Sequence, residues 1–226
     1  FKHEGQCTSV PLTFEANESY FLVFTRVAGV AGRVVGVNFP RLEAQSTLEG
    51  PWEVSFDPKW GPFDSAQGRR PGEFLFESLQ DWTAHPTPGI RYYSGIATYR
   101  KTFPFAGETA GAGQRHYLDL GTVHDIARVR LNGKDLGVVW AAPWRVEISS
   151  ALQPGENRLE IEVANRWSNR LLGDQQEPDK KARVLKWESG LLEGKEFPTG
   201  RYTFSTSSGL GELLPSGLLG PVRLMK

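Results

Sequence analysis

The sequence predicts an all-β protein, an antiparallel β-sandwich of the jelly-roll type. Three observations carry that prediction. Glycine (25) and proline (15) make up 40 of the 226 residues, about 18% where roughly 12% is ordinary, and so many turn formers imply many chain reversals. Thirteen phenylalanines, seven tryptophans and six tyrosines supply the flat side chains that fill a sandwich core. No stretch of ten or more residues holds a 3.6-residue apolar period, whereas several alternate at period two.

Taken in order, Val10–Phe14 and Ser19–Phe24 are two short β-rich runs, and Arg26–Pro40 follows with three glycines and few side chains able to fix a core. Residues 1–40 therefore look like a strand pair and linker left from a preceding module, and residues 41–226 like the jelly roll itself. Trp52–Phe56, Ile96–Phe105 and Arg158–Ala164 alternate apolar with polar, so Leu159, Ile161 and Val163 should face inward. Ile126–Trp140 reads as a hairpin, because Asn132-Gly133 supplies the two positive-φ positions of a type I′ turn. Pro154-Gly155 suits a type II turn between Val146–Ile148 and the strand from Arg158. Ala106–Gln114 is a glycine-rich surface loop, and Ser168–Phe197 a longer charged connection with room for a helical turn.

Composition also excludes function classes. Lysine plus arginine (26) equals aspartate plus glutamate (26), which leaves no basic field to release counterions from a phosphate backbone and argues against nucleic acid. Cys7 is the single cysteine, so an intrachain disulfide, a CxxC pair and a Cys-rich zinc site are ruled out. Apolar runs such as Leu136–Pro143 fall far short of the roughly 20 residues of a membrane helix, and Phe1 leads into a polar segment without a signal-peptide pattern. The one methionine, Met225, is not at the start, which suggests a piece of a longer polypeptide.

Catalytic signatures are missing. The sequence has no G-x-S-x-G, H-E-x-x-H, G-x-x-x-x-G-K-[ST] or G-x-G-x-x-G. His85, His116 and His124 stand apart and read as structural imidazoles. Asp57, Asp81, Asp119, Asp125 and Asp174 are the carboxylates worth weighing for glycoside hydrolysis, yet no spacing sets two of them on one face. Aromatic and polar residues mixed at strand ends are more informative, since sugar rings stack their C–H faces on Trp and Tyr while their hydroxyls take Arg, Asn and Asp partners. Trp52, Trp144 and Tyr99 read as core. The candidate carbohydrate-binding residues are Trp82, Arg91, Tyr92, Tyr93, Trp140, Asn165, Trp167, Asn169, Arg170 and Trp187. Trp60, Trp82 and Trp187 sit in the most polar surroundings and are expected as exposed platforms, while Trp140 and Trp167 suit either a platform or an edge-packing role.

These motifs resemble a known family. Leu48–Phe56, Asp81-Trp82-Thr83, Gly89–Phe103, Val129–Gly137, Ala142–Ile148 and Pro154–Val163 are similar to the galactose-binding-like sugar-binding domain of family 2 glycoside hydrolases. Asn165–Asp174, Gly200–Phe204 and Leu214–Leu224 resemble the C-terminal domain of large bacterial α-L-rhamnosidases of family 106. The likeness runs from about residue 48 to 226. It implies a galactose-binding-domain-like jelly roll in an extracytoplasmic glycosidase whose catalytic carboxylates belong to a separate barrel. It also implies, in some members, a structural calcium ion, although no D-x-D-x-D cluster supports one here and no residue is assigned to a metal.

The expected function is that of a non-catalytic carbohydrate-binding module of a bacterial polysaccharide-degrading glycoside hydrolase. It would need no cofactor, bind plant or algal poly- or oligosaccharides weakly, and have the catalytic domain of the parent enzyme as its partner. Two rivals remain. One is a domain that only packs on the catalytic barrel, which a large exposed apolar patch would favour; the other is an enzyme with its own carboxylate pair.

Overall fold

The computed structural model describes residues 2–14, 19–23, 42–58, 72–107, 115–176 and 212–226. Trp60, Trp187, the linker 26–40, the loop tip 108–114 and the motif 200–204 lie outside the described residues. In chain order the strands are β1 (Lys2–Glu4), β2 (Cys7–Ser9), β3 (Ala44–Thr47), β4 (Trp52–Phe56), β5 (Glu73–Phe76), β6 (Ile96–Phe105) and β7 (Tyr117–Asp119). They continue with β8 (Thr122–His124), β9 (Ile126–Leu131), β10 (Lys134–Val139), β11 (Arg145–Glu147), β12 (Gly155–Ala164), β13 (Gly217–Gly220) and β14 (Arg223–Met225). A 3-10 turn (Trp82–Ala84), α1 (Pro88–Arg91) and α2 (Ser168–Gln176) complete the described elements.

Two layers form the sandwich. The larger has the order β10-β9-β12-β6-β4-β5 and the smaller β11-β7-β14-β3, with every strand pair antiparallel. The backbone of the larger layer is the ten-residue pairing of β12 with β6, from Gly155↔Phe105 to Ala164↔Ile96. The short pair β13-β8 continues the smaller layer, because β8 follows β7 and β13 precedes β14. At the join, Gly121 bridges Gly220 so closely that a Cβ on Gly121 would overlap the Gly220 carbonyl. Only glycine fits there.

Alternation places the core as the sequence predicts. Leu159, Ile161 and Val163 are buried with Ala97, Tyr99, Phe103, Val129 and Leu131 on the inner face of the larger sheet. Leu118, Leu120, Val123, Ile148, Leu218 and Leu224 face them from the smaller layer. Each such side chain contributes about 1.5–3 kcal/mol by leaving water. The hairpin turn is also as predicted: Asn132 has φ 52° and Gly133 φ 79°. Asn132 does more than turn the chain, since its Nδ2 donates to Ala151 O (2.9 Å) and Asn157 Oδ1 (2.8 Å) while its Oδ1 accepts from Arg158 N (2.8 Å).

Two expectations change. The N-terminal strand pair is β1-β2, turned at Gly5 with φ 63°, and neither 10–14 nor 19–23 has strand structure. Pro11 lacks the N–H that a ladder at Val10–Phe14 would need. The connection after Trp167 carries the nine-residue α2, longer than a single helical turn. Among the described residues no helix is long and apolar enough to cross a membrane.

Candidate functional site

Three loops meet at one end of the sandwich: residues 81–95, the start of α2, and the run into β13. A polar network ties them together. Asn165, just past β12, donates from Nδ2 to Tyr93 O (2.9 Å) and Ser216 Oγ (3.0 Å), and accepts at Oδ1 from Gly95 N (3.0 Å). Asn169 donates to Leu214 O (2.7 Å) and Ser216 Oγ (3.0 Å) and accepts from Leu214 N (2.8 Å). Asp81 caps the 3-10 turn through Thr83 N (2.9 Å) and accepts from Ser216 N (3.0 Å). Ser94 Oγ donates to Arg166 O (2.8 Å) and accepts from Arg170 N (3.1 Å). Such buried, satisfied networks fix loop geometry because breaking one member leaves the others unpaired.

The nine candidate residues that are described fall into distinct groups in this frame. Trp82 is fully buried, which corrects the expectation of an exposed platform. Its indole packs against Phe56 (5.3 Å) and Tyr93 (5.6 Å) and its Nε1 donates to Tyr99 Oη at 2.6 Å. The polar look of Asp81-Trp82-Thr83 comes from the cap, not from the indole. Tyr93 is likewise buried, its hydroxyl donating to Ile96 O (2.9 Å) and accepting from Asp57 N (3.1 Å), and burial pushes its pKa up to about 12. Complete burial of Tyr99 raises its pKa too. Asn169 and Arg170 are buried, and Asn165 is half-buried with its amide committed to the network. These five hold the loops and offer no open face to a sugar.

Arg91, Tyr92, Trp140 and Trp167 remain accessible. Arg91 is exposed, with Nε on Thr83 O (3.1 Å), and half-buried Tyr92 packs so closely on Gly173 of α2 that a Cβ there would lie 2.6 Å from Tyr92 Cβ. Trp167 is 48% and Trp140 75% exposed. Trp167 follows Arg166, which forks onto Asp125 at 3.0 and 2.9 Å, and Trp140 follows Val139, the partner of Ala127. Both therefore stand at the end of the larger sheet where β9 begins and β12 ends. Ile96 and Ile126 flank Ala164 there, and Ile96, Ile126 and nearby Val138 are 56%, 45% and 53% exposed. This aliphatic strip beside Trp140 gave no signal in the sequence, since its residues come from three separate strands.

Three of the five carboxylates weighed for hydrolysis have structural partners. Asp81 serves the network, Asp119 accepts from Arg145 Nε (2.8 Å) and Gly121 N (2.9 Å), and Asp125 holds Arg166. His85 stacks on Phe76 (5.4 Å) and burial lowers its pKa; His116 is buried with its ring edge-on to Phe105 at 5.4 Å. Among the described residues no three His, Cys, Asp or Glu side chains group as a metal site requires.

Known proteins share this architecture. Residues 93–200 match the family model described as the glycosyl hydrolase 2 galactose-binding domain-like domain. A protein of Formosa agariphila named as a β-glucuronidase is 35% identical over 202 residues, 86% of this chain and 17% of that protein. A solved rhamnosidase from Novosphingobium sp. PP1Y superposes with a TM-score of 0.65 at 38% identity, over 84% of this chain and 16% of that one. The chain thus spans about a sixth of the length of either relative. Family model, fold and sequence identity agree: the chain is an all-β sandwich of the galactose-binding-like fold, similar over most of its length to a domain-sized part of these glycoside hydrolases.

Proposed function

We propose that this domain is a non-catalytic accessory module of a secreted or periplasmic bacterial glycoside hydrolase, with the catalytic carboxylates in another part of the polypeptide. It holds plant or algal glycan chains weakly at the loop end of the sandwich. The observation that supports this is the display of Trp167, Tyr92 and Arg91 on loops locked from beneath by Asn165, Asn169 and Ser216. A preorganised aromatic and guanidinium surface can stack a ring and bind its hydroxyls without first ordering itself. A shallow site for one or two rings corresponds to a Kd on the order of 10 µM to 1 mM, about −4 to −7 kcal/mol. A glycan array followed by titration calorimetry tests it: Trp167→Ala should abolish the heat of binding while shifting the melting temperature by no more than about 2 °C. Absence of binding across the array, or affinity unchanged in Trp167→Ala, refutes the site.

One observation favours a second reading, in which the domain packs on its neighbour in the parent enzyme. Trp140 stands at the end of a strip of exposed Val138, Ile126 and Ile96, and aliphatic β-branched side chains suit a protein surface, not a sugar. Trp140→Ser should then leave glycan binding intact but loosen the full-length enzyme, read as increased proteolysis between its modules.

A further inference from the structure

The outer face of the larger sheet, remote from the core, bears a hollow of about 670 Å³. Strand register builds its floor. Glu53 pairs with Arg100, Arg100 with Glu160, and Glu160 with Arg130, so β4, β6, β12 and β9 set carboxylate and guanidinium alternately in one row. The row holds its own geometry: Glu160 accepts from Arg100 Nε (3.0 Å) and Arg130 Nη1 (2.8 Å), and Arg130 Nη1 also reaches Glu162 at 3.0 Å. Lys101 is engaged elsewhere, with Nζ on Gly50 O and Pro51 O (3.2 and 3.0 Å) and 5.1 Å from the Trp52 ring centroid.

Arg158 differs from its neighbours. Two residues before Glu160 on β12, it lines the same hollow, yet its side chain is 82% exposed. Among the described residues its one ion pair, to Glu156 at 3.8 Å, is too long for a hydrogen bond. An open guanidinium fork beside a rigid row of guanidinium and carboxylate groups is the donor set for an oxyanion flanked by hydroxyls. Leu75, 39% exposed on β5, adds an apolar wall.

We propose that this hollow is a second site, distinct from the loop end, for an anionic saccharide. Its carboxylate or sulfate takes the Arg158 fork, and its ring hydroxyls donate to Glu53 and Glu160 and accept from Arg100. A neutral sugar would leave the fork unused, so charge on the ligand should decide affinity.

The test is titration calorimetry of the 226-residue chain with three oligosaccharides of equal length: neutral, uronate-bearing and sulfate-bearing. One or both anionic ligands should bind about tenfold more tightly than the neutral one and weaken several-fold between about 50 and 200 mM salt. Arg158→Ala should remove that preference, and Arg158→Lys should restore only part of it, because a point charge lacks the fork. The arm that binds identifies the anionic group. The proposal is overturned if neutral and anionic ligands bind alike, if neither anion binds, if inorganic sulfate competes as well as the saccharide, or if Trp167→Ala abolishes binding while Arg158→Ala does not. The last result would place the ligand at the loop end.

Discussion

Replacing Trp82 with alanine separates a core role from a surface role more sharply than any other change in this domain. The indole is fully buried, lies 5.3 and 5.6 Å from the Phe56 and Tyr93 rings, and gives its N–H to Tyr99 Oη at 2.6 Å. Gly217, with φ 102°, leaves the room it needs, since any Cβ there would overlap Nε1. Truncating a buried aromatic costs about 3–5 kcal/mol through lost transfer energy and the void left behind. Tyr99 Oη loses one of two donors and keeps Leu218 N at 3.2 Å, which adds about 1 kcal/mol. At about 2–4 °C per kcal/mol for a chain of this size, the melting temperature should fall by roughly 8–24 °C. Trp82→Phe retains most of the volume and should cost about 1–2 kcal/mol. Urea melts at constant m-value together with calorimetry read both variants. A Trp82→Ala melting temperature within about 2 °C of the parent, with glycan affinity lost, would refute the core assignment.

Other consequences can be checked alongside. Asn132→Ala loses three hydrogen bonds and puts alanine at φ 52°, so a denaturant melt should show a loss of about 2–4 kcal/mol. Asp135 has its pKa lowered from 3.8 to about 2, chiefly by the Arg128 hydrogen bond. A depressed carboxylate pKa contributes stability above the ordinary value and loses it as pH falls through the folded one. The melting-temperature difference between the parent and Asp135→Asn should therefore be steady above about pH 4 and vanish towards pH 2. Deleting residues 1–40 should leave a cooperative transition with an unchanged midpoint by circular dichroism, because every strand of the two layers lies between Ala44 and Met225.

What could be read in the sequence was set by element length. Alternation identified β6 and, from Arg158 to Ala164, β12 with its buried face, and Asn132-Gly133 identified the hairpin from local backbone preference alone. The smaller layer was harder to see. β3, β7, β8, β13 and β14 have only three or four residues each, too few to show a period, and β14 becomes a strand by pairing with β7 and β3 far away in the chain. The candidate residues were legible as neighbours but not as faces. Tyr93, Asn165, Asn169 and Arg170 do converge on one loop end with Trp167, yet burial separates the residues that hold it from those that meet solvent. No local pattern shows that the Trp82 indole turns inward, because Tyr99 and Gly217, which receive it, lie on other strands.

That division between holding and displaying explains how an exposed end can be rigid. Asn165, Asn169 and Ser216 satisfy one another across three loops, and each amide of the two asparagines uses both its oxygen and its nitrogen. Losing one partner would strand the others in a buried place, at about 1–3 kcal/mol per orphaned group, so the loops move together or not at all. Trp167 and Tyr92 ride on this frame through the first turns of α2 and the Gly173 contact. A weak ligand would depend on that arrangement, since ordering even two side chains at about 0.5–1.5 kcal/mol each would consume much of a total of about 4–7 kcal/mol. The outer-face row achieves the same rigidity by ion pairs across β6, β12 and β9, and Arg158, outside those pairs, is left as its open group.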